Sequence, residues 1–207
     1  MKNFLVSLTA SLGLAASIAI AAGQQGQAAA VPNAATAIFA GGCFWCTEAD
    51  FEKLPGVIKA ESGYTGGETA NPTYDQVSAG HTGHTEAVRV YYDPSKVTYE
   101  QLVEYFWLTI DPTVKDRQFC DNGSQYRSGI YPLNEQQKKI AEASKAALLN
   151  SGRFPQIHTE IVTAKQFYPA EEYHQDYYKK NRVRYSFYRF NCGRDARLKE
   201  LWGNGKK

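Results

Sequence analysis

The chain has 207 residues and a formal net charge of +2 at pH 7, with 43% hydrophobic and 21% charged residues. A charge this close to neutrality gives no indication of nucleic-acid or membrane-surface binding. The residues that follow an N-terminal leader, 31–207, are enough for one domain with a sizeable core.

The first 30 residues have the pattern of a secretory signal peptide and leader. Lys2 supplies a positive charge, residues 4–22 are almost wholly apolar or small, and small-x-small cleavage motifs follow. We therefore expect a cleaved, periplasmic or secreted protein whose mature chain starts between residues 22 and 31. An uncleaved membrane anchor is the alternative, because the apolar run approaches spanning length. The later sequence holds no second run of that length, so we expect the mature chain to make no use of a membrane.

Residues 41–48, with the sequence GGCFWCTE, are the first candidate functional segment. A short apolar strand precedes them, and a helix is expected over residues 44–53. This order places Cys43 at a helix N-terminus, where unpaired amides and the helix dipole favour a thiolate, the nucleophilic form of cysteine. The aromatic residues Phe44 and Trp45 would form an apolar wall beside that sulfur.

The chain has four cysteines, namely Cys43, Cys46, Cys120 and Cys192. Two structural disulfides are one interpretation in an exported protein. The close spacing of Cys43 and Cys46 at a helix start favours redox chemistry or a metal instead. Together with His81 and His84, this pair could complete a Cys2His2 zinc set.

The segment Thr85–Tyr92 alternates in a way that predicts a strand, with Glu86 on the same face as Val88 and Val90. A glutamate on an apolar face is costly unless it is paired or protonated. Burial would raise its pKa and make it a proton donor near neutral pH. A solvated strand end without function is the alternative for Glu86.

The polar, glycine-bearing segment 118–128 predicts a long loop, and such loops in compact domains are more often functional than idle. Asp121 and Tyr126 are its candidate site residues, although a turn aspartate and a packing tyrosine would look the same. Tyr74 follows a turn of the kind that suits a pocket rim. Packing of Tyr74 on the core is its alternative.

The other expected elements follow capping and breaking signals. Residues 182–207, which hold Cys192, are expected to be an irregular tail. The alternation of strands and helices predicts one mixed α and β domain with its core at 36–181. The remaining elements are a strand at 57–64, a helix opened by Thr98 and Gln101, a strand at 130–131, a helix at 135–149, a strand at 157–164 and a helix at 169–178.

Several motifs follow one another along the chain: Gly42-Cys43-Phe44-Trp45, Ser62-Gly63-Tyr64, Pro72-Thr73-Tyr74, Gly83-His84-Thr85-Glu86, Asp121 with Gln125-Tyr126-Arg127-Ser128, and Tyr173-His174-Gln175. They cover residues 38–178 and resemble the A type of the peptide methionine sulfoxide reductase family. The resemblance implies an α+β domain of two layers, with a mixed central sheet flanked by helices. It also implies reduction of the S epimer of methionine sulfoxide, either free or in oxidised proteins.

The resemblance also implies roles that agree with the chemistry of the residues. The Cys43 thiolate attacks the sulfoxide sulfur, and Glu86 gives a proton to the departing oxygen. The hydroxyls of Tyr74 and Tyr126 hydrogen-bond the same oxygen.

Two further sets of contacts complete the implied site. Phe44 and Trp45 hold the methyl group of the substrate by apolar contact, and Asp121 is a positioning partner at the polar end. After the reaction Cys43 is a sulfenic acid, which a nearby thiol condenses to a disulfide.

The resolving thiol is where the sequence departs from the best-known family pattern. Cys192 is the first candidate because a mobile tail is the usual source, although the tail here has no glycine repeats. Cys46 is the second, because its spacing from Cys43 is that of thioredoxin-type redox pairs. Cys120, beside Asp121, is the third.

We expect no bound cofactor or metal, and an external thioredoxin-like protein as the thiol reductant. Beyond an inner membrane that donor would need a membrane relay. A monomer is the default, with no nucleic-acid partner. The alternatives are an exported dithiol–disulfide oxidoreductase that uses Cys43 and Cys46, and a zinc-stabilised binding module.

Overall fold

A computed structural model of the chain describes residues 33–203. The proposed signal peptide and leader, residues 1–30, lie outside this range. Among residues 33–203, the structure has no helix with the length and apolar character of a membrane span.

The strands are β1 (Ala35–Gly41), β2 (Val57–Thr65), β3 (Thr85–Tyr92), β4 (Arg117–Gln118), β5 (Asp121–Asn122), β6 (Ser128–Ile130), β7 (Glu160–Ile161) and β8 (Tyr168–Pro169). The helices are α1 (Phe44–Phe51), α2 (Tyr74–Ser78), α3 (Tyr99–Trp107), α4 (Glu135–Asn150), α5 (Tyr177–Lys180), α6 (Arg182–Asn191) and α7 (Arg194–Trp202), with a 3-10 turn at Ser124–Tyr126.

The main sheet has six strands in the order β7-β6-β1-β3-β2-β8, and β4 pairs only with β5. β6 and β7 are parallel, whereas the other neighbours in the sheet are antiparallel. The sheet is therefore mixed and mainly antiparallel, which confirms the expected class. Of its central strands, β1 ends and the antiparallel β3 begins beside the segment that carries Cys43.

The helices α1 and α3 pack on one face of the sheet through aromatic contacts. Phe39 of β1 lies 4.8 Å from Phe51 and 5.0 Å from Phe106, measured between ring centroids. The start of α3 is the predicted capping box: the Gln101 amide donates to Thr98 Oγ1, and the Thr98 amide donates to Gln101 Oε1. This packing fixes α1, and with it Cys43, against the sheet.

The strand β3 is buried along most of its length. Val88 and Val90 are fully buried with Glu86 at 2% exposure, on the face that the alternation predicts. Ala87 on the opposite face is also buried and belongs to the cluster that contains Phe167. β3 is therefore covered on both faces at this point, and the Glu86 side chain is buried.

The sequence predicted an irregular tail after residue 181. This prediction is wrong for residues 182–202, which form the helices α6 and α7. A glycine in the left-handed region, Gly193 with φ 64°, separates them. The two helices are held by buried charges rather than by an apolar stripe alone. Arg189 pairs with Asp50 at 3.1 Å, and the Arg194 guanidinium donates to the carbonyl oxygens of Gly41 and Thr109.

Two other expected elements are also wrong in extent. The strand expected at 157–164 is limited to Glu160–Ile161, and the helix expected at 169–178 begins only at Tyr177. The segment before Tyr177 is tied to β2, because the Gln175 amide accepts from the Ser62 N–H and donates to the carbonyls of Ser62 and Ala170. Those bonds compete with helix formation.

Candidate active site

Cys43 is presented by a sharp turn from β1 into α1. Gly42 has φ 81°, and a Cβ at this position would lie 2.5 Å from the Cβ of Gln118. A Cβ on Gly41 would lie 2.7 Å from Thr47 Oγ1. Glycine is therefore required at both positions, because neither has room for a Cβ. Gly42 also needs a backbone conformation that other residues rarely adopt. Cys43 itself is the N-cap of α1 and is only 6% exposed.

The first amide of α1 holds the carboxyl of Glu86. The Phe44 N–H donates to Glu86 Oε2 at 2.9 Å. Burial raises the pKa of Glu86 to about 8, even though the bond from Phe44 opposes the shift. Glu86 is therefore mainly protonated at neutral pH, and the helix N-terminus serves this carboxyl rather than the Cys43 sulfur.

Cys43 and Cys46 are both buried and lie one helical turn apart, with the Cys46 N–H donating to the Cys43 carbonyl oxygen at 3.1 Å. Burial raises the pKa of Cys43, and the nearby acidic groups add to this effect. The neighbouring Cys43 side chain lowers the pKa of Cys46 to about 7, helped by the charges of Arg194 and Arg189. Of the two sulfurs, Cys46 is therefore the first to ionise.

Tyr74 and Tyr126 lie in the electrostatic field of the same centre. Burial raises the pKa of Tyr74 to about 12 and also raises that of Tyr126, with further contributions from the charges of Glu86 and Cys43. Both hydroxyls keep their protons at neutral pH and can donate hydrogen bonds. Asp121 contributes to the field around both tyrosines, so the structure brings these five candidate residues together.

Asp121 is half-buried and bonded to a residue of α6. The Tyr188 hydroxyl donates to Asp121 Oδ2 at 2.6 Å. Burial raises the pKa of Asp121, while this bond and the charge of Arg194 oppose the shift. Burial raises the pKa of Tyr188, and the charges of Cys43 and Asp121 add to this effect. Tyr188 is therefore bonded to Asp121 and lies within the electrostatic field of the candidate nucleophile.

An open, mainly aromatic cavity of about 700 Å³ lies beside these groups. Trp45 forms part of its wall, donating from Nε1 to His174 Nδ1 at 3.0 Å and stacking on Tyr177 with 3.8 Å between ring centroids. Phe44 is buried behind the wall, 4.9 Å from the His174 ring. The wall is thus held rigidly, with Trp45 as its part nearest the solvent. The other lining residues include Tyr74, Tyr188, Cys120 and Cys192.

Cys120 and Cys192 form a disulfide, whereas Cys43 and Cys46 are free thiols. The bond joins the hairpin of β4 and β5 to the C-terminal end of α6. Cys120 is exposed and Cys192 is partly exposed. The three candidate resolving cysteines thus have different surroundings: Cys46 contacts Cys43 directly, while Cys120 and Cys192 are paired with each other.

The histidines do not form the Cys2His2 set. His84 is buried, its Nδ1 accepts from the Gly67 N–H, and its Nε2 bonds the carbonyl of Thr69. Both ring nitrogens are thus hydrogen-bonded to the backbone of a turn. Among residues 33–203, the clusters with metal-ligating geometry contain neither a histidine nor the Cys43–Cys46 pair.

Four residues of the site were not found from the sequence. Tyr188, Arg189 and Arg194 belong to the segment that was expected to be irregular, although the absence of proline and glycine from residues 182–191 could have indicated a helix. Glu48 on α1 is the fourth. Burial raises its pKa to about 7, and its two oxygens accept from the Ser62 hydroxyl and the Asp176 N–H.

A buried thiol pair beside a protonated carboxyl and two tyrosine hydroxyls defines the site of a thiol-dependent oxidoreductase. The model of the family described as peptide methionine sulfoxide reductase matches residues 35–206. The chain belongs to this family, as its sequence motifs indicated.

Individual relatives and solved structures agree. A peptide methionine sulfoxide reductase MsrA of Bacillus pumilus is 52% identical over 169 residues, or 81% of this chain and 95% of that protein. The MsrA 2 protein of Caulobacter vibrioides is 48% identical over 203 residues, or 98% of this chain and 100% of that protein. Methionine sulfoxide reductase A of Corynebacterium diphtheriae has a similar structure, with a TM-score of 0.66 and 40% identity, covering 73% of this chain and 77% of that one. Reduced Mxr1 of Saccharomyces cerevisiae gives a TM-score of 0.67 at 33% identity, with 72% and 86% covered.

Proposed function

We propose that the chain reduces the S epimer of methionine sulfoxide, free or in oxidised proteins, with Cys43 as the nucleophile. The observation that carries the proposal is that Cys43 immediately precedes the amide that holds Glu86, a buried carboxyl. A sulfoxide oxygen leaves more readily once it is protonated, and Glu86 is a proton donor next to the attacking sulfur.

The reaction assigns a distinct task to each side chain. Cys43 attacks the sulfoxide sulfur while Glu86 protonates the oxygen, and Tyr74 and Tyr126 donate hydrogen bonds to that oxygen as its charge develops. The S–O bond breaks and the oxygen leaves as water, which leaves Cys43 joined to the substrate sulfur. Water then attacks the Cys43 sulfur, the bond between the two sulfurs breaks, methionine leaves, and Cys43 becomes a sulfenic acid.

The apolar wall positions the other end of the substrate. Trp45 lines the cavity and contacts the methyl group, while Phe44 supports the wall from behind. Asp121 positions the polar end of the site through Tyr188.

The test is turnover of oxidised N-acetyl-methionine with dithiothreitol, with the S and R epimers separated by chromatography. We expect loss of the S epimer alone, and no loss with Cys43→Ser. The proposal fails if the wild-type protein does not turn over or if Cys43→Ser retains full activity.

A dithiol–disulfide oxidoreductase is the competing function for the Cys43–Cys46 pair. Both sulfurs are buried, at 6% and 1% exposure, so a protein disulfide has no direct access to them. Such an enzyme would also have no use for a protonated Glu86. Insulin reduction that survives Glu86→Gln would favour it over sulfoxide reduction.

We propose Cys46, rather than Cys192, as the thiol that resolves the sulfenic acid. Cys46 lies one helical turn from Cys43 and has its pKa lowered to about 7, whereas Cys192 is paired with Cys120. The Cys46 thiol attacks the Cys43 sulfenic acid, water leaves, and a Cys43–Cys46 disulfide forms. Trapping after one turnover should give this disulfide in the wild-type protein, and it should persist in Cys192→Ser.

We also propose that a thioredoxin-like dithiol protein supplies the electrons through the Cys120–Cys192 disulfide. This disulfide is accessible to a protein, unlike the buried pair. The donor's two thiols reduce Cys120–Cys192 and become a disulfide. The two released thiols then exchange with Cys43–Cys46, which returns to the dithiol while Cys120–Cys192 re-forms.

A double variant, Cys120→Ser with Cys192→Ser, tests this route. We expect it to complete a single turnover and to cycle with dithiothreitol, which is small enough to enter the cavity. It should lose cycling with thioredoxin plus thioredoxin reductase. Undiminished cycling with thioredoxin would show that the donor reaches Cys43–Cys46 directly.

We propose that residues 1–30 are a cleavable signal peptide and leader, that the mature protein is periplasmic or secreted, and that it is a monomer. The support is the positive, apolar and small-residue order of the leader. Cell fractionation with the mass of the purified protein tests export, because an uncleaved anchor would leave the full mass in the membrane fraction. Light scattering tests the monomer.

A further inference from the structure

His174 lies beside the aromatic wall of the cavity and is hydrogen-bonded to it. The Trp45 Nε1–H donates to His174 Nδ1 at 3.0 Å, and His174 is only 2% exposed. Its ring packs against those of Tyr173, Tyr74 and Phe44, with 4.2, 4.4 and 4.9 Å between centroids. The imidazole is thus enclosed by aromatic rings and reaches Trp45 through a directed bond.

The bond to Trp45 determines which nitrogen of the imidazole carries the proton. Because Nδ1 accepts from the indole, the neutral ring has its proton on Nε2. That nitrogen is buried and has no hydrogen-bond partner among residues 33–203. Burial lowers the pKa of His174, while the charge of Glu171 opposes the shift, so the ring is neutral at neutral pH. Within the part of the chain that the structure describes, the imidazole therefore has one hydrogen bond, and Trp45 receives it.

Trp45 needs this bond because its other ring contacts leave the indole one freedom of movement. The indole stacks on Tyr177 with 3.8 Å between centroids and 7° between planes, and Tyr188 lies edge-on at 5.8 Å. Stacking fixes the plane of a ring but resists sliding and rotation within that plane only weakly. A directed N–H···N bond fixes the remaining rotation.

The main sheet in turn fixes the position of His174. The next residue, Gln175, accepts from the Ser62 N–H and donates to the Ser62 carbonyl, both at 2.9 Å. The His174 N–H donates to the carbonyl of Glu171 at 2.9 Å. The angle of the indole can therefore change only if its bond to His174 breaks or if this anchored segment moves.

We propose that His174 is a positioning residue for Trp45 and thereby limits the size of the alkyl group that the wall accepts on the substrate sulfur. The proposal rests on the proposed function, in which Trp45 contacts the methyl group. The angle of the indole sets the room beside that methyl group. A wall fixed at one angle accepts S-methyl and disfavours a longer S-alkyl group, since a packed site yields little to an added methylene.

Two substitutions separate the acceptor from the ring. His174→Phe keeps an aromatic ring but removes the acceptor of the Trp45 N–H. His174→Asn removes the ring but keeps an acceptor, because its amide oxygen is as many bonds from the backbone as Nδ1 is. His174→Phe also removes a buried N–H that has no partner, which offsets the lost bond, so we expect its Tm to stay close to that of the wild type.

Single turnovers of the reduced protein measure the effect on the substrate. The substrates are the S epimers of N-acetyl-methionine sulfoxide and of its S-ethyl homologue, N-acetyl-ethionine sulfoxide. For the methyl substrate, His174→Phe should raise the half-saturating concentration about fivefold and change the limiting rate by less than about twofold, because the contact is made before and during the reaction. The preference for methyl over ethyl should fall by about threefold or more. His174→Asn should lie closer to the wild type in both quantities.

The indole N–H of Trp45 reports on the bond without any substrate. In ¹⁵N–¹H spectra, His174→Phe should shift this signal and speed its hydrogen exchange about tenfold. Ser144→Ala is the matched control, because Ser144 Oγ accepts from the Trp107 indole at 2.9 Å in the same way, outside the site. It should shift the Trp107 signal alone and leave the half-saturating concentration and the methyl preference unchanged.

Retention of the wild-type methyl preference by His174→Phe would overturn the proposal. It would also be overturned if His174→Asn lost more of this preference than His174→Phe, since the ring and not the acceptor would then matter. Equally fast exchange of the Trp45 N–H in the wild type and in His174→Phe would show that the bond does not hold the indole. A wild-type protein that reduces neither sulfoxide would refute the proposed function, whereas the indole exchange would still test the bond between Trp45 and His174.

Discussion

The Phe44 amide donates a hydrogen bond of 2.9 Å to Glu86 Oε2. Phe44 directly follows Cys43, so one backbone position fixes the proton donor relative to the nucleophile. The bond also uses the first free amide of α1, which would otherwise be unsatisfied in a buried place. The same bond therefore stabilises the helix start and sets the catalytic geometry.

Replacement of Glu86 by Gln should lower kcat roughly 100- to 10,000-fold, because the proton donor is lost while the volume is kept. The pKa of Glu86 is raised to about 8, so wild-type activity divided by the fraction of Cys43 present as thiolate should decline as pH rises through about 8. This alkaline limb should be absent from the residual activity of the variant. The measurement is the pH dependence of kcat/KM.

Glu61→Gln is the control, because Glu61 accepts from Arg89 and Tyr91 outside the site. It should keep the wild-type pH profile of activity. Retention of more than half the wild-type kcat by Glu86→Gln would contradict the assignment of Glu86 as proton donor.

Glu48 gives a prediction about stability and pH. Burial raises its pKa from 4.5 to about 7, so above pH 4.5 the unfolded chain ionises this group more readily than the folded chain does. The stability it contributes is therefore complete below pH 4.5 and is lost as pH rises through about 7. Glu48→Gln should remove a pH-dependent loss of roughly 2–3 kcal/mol between pH 5 and pH 8, measured by urea unfolding. An unchanged pH slope in this variant would show that other groups cause the loss.

The parts of the fold that were predictable are those set by local sequence. The Thr98–Gln101 capping box and the alternation around Glu86 involve neighbours within a few residues. The order of strands was not predictable, because strand pairing joins distant segments. The packing of the C-terminal helices was not predictable for the same reason, because the bonds from Arg194 reach residues 153 and 85 positions away.

The same distinction holds within the site. Cys43 has a local signal in the glycine pair before it, and Glu86 has one in its position on an apolar strand. Tyr188 has no local signal, because its partner Asp121 is 67 residues away and the role depends on how α6 packs. The motifs of the family located Tyr74, Tyr126 and Asp121, which local sequence alone left ambiguous.

Gly42→Ala should destabilise the protein and inactivate it. The position has φ 81°, and the added Cβ would lie 2.5 Å from the Gln118 Cβ, so both the backbone and the neighbouring loop must shift. We expect a loss of roughly 2–4 kcal/mol in unfolding free energy and at least a tenfold fall in kcat.

Gly152→Ala is the matched control for Gly42→Ala. Gly152 has a similar φ of 70°, but a Cβ there meets no atom within 4 Å. It should cost only about 1 kcal/mol and leave kcat unchanged. If the two variants lose equal unfolding free energy, the backbone conformation alone explains why position 42 needs glycine. The contact with Gln118 would then make no contribution to the loss.

Arg194→Met should lower both stability and the reactivity of Cys46. Arg194 is 2% exposed, and its guanidinium donates to the carbonyls of Gly41 and Thr109, which the variant would leave buried without this donor. We expect a loss of roughly 3–5 kcal/mol in unfolding free energy. The pKa of Cys46 should rise, because a positive charge that lowers it is removed. Alkylation of Cys46 should therefore need a higher pH.

Arg182→Met, at an exposed position on α6, is the control and should change neither the unfolding free energy nor the pH at which Cys46 alkylates. If Arg194→Met destabilises the protein but Cys46 alkylates at an unchanged pH, then Arg194 is a structural residue and does not help to ionise Cys46.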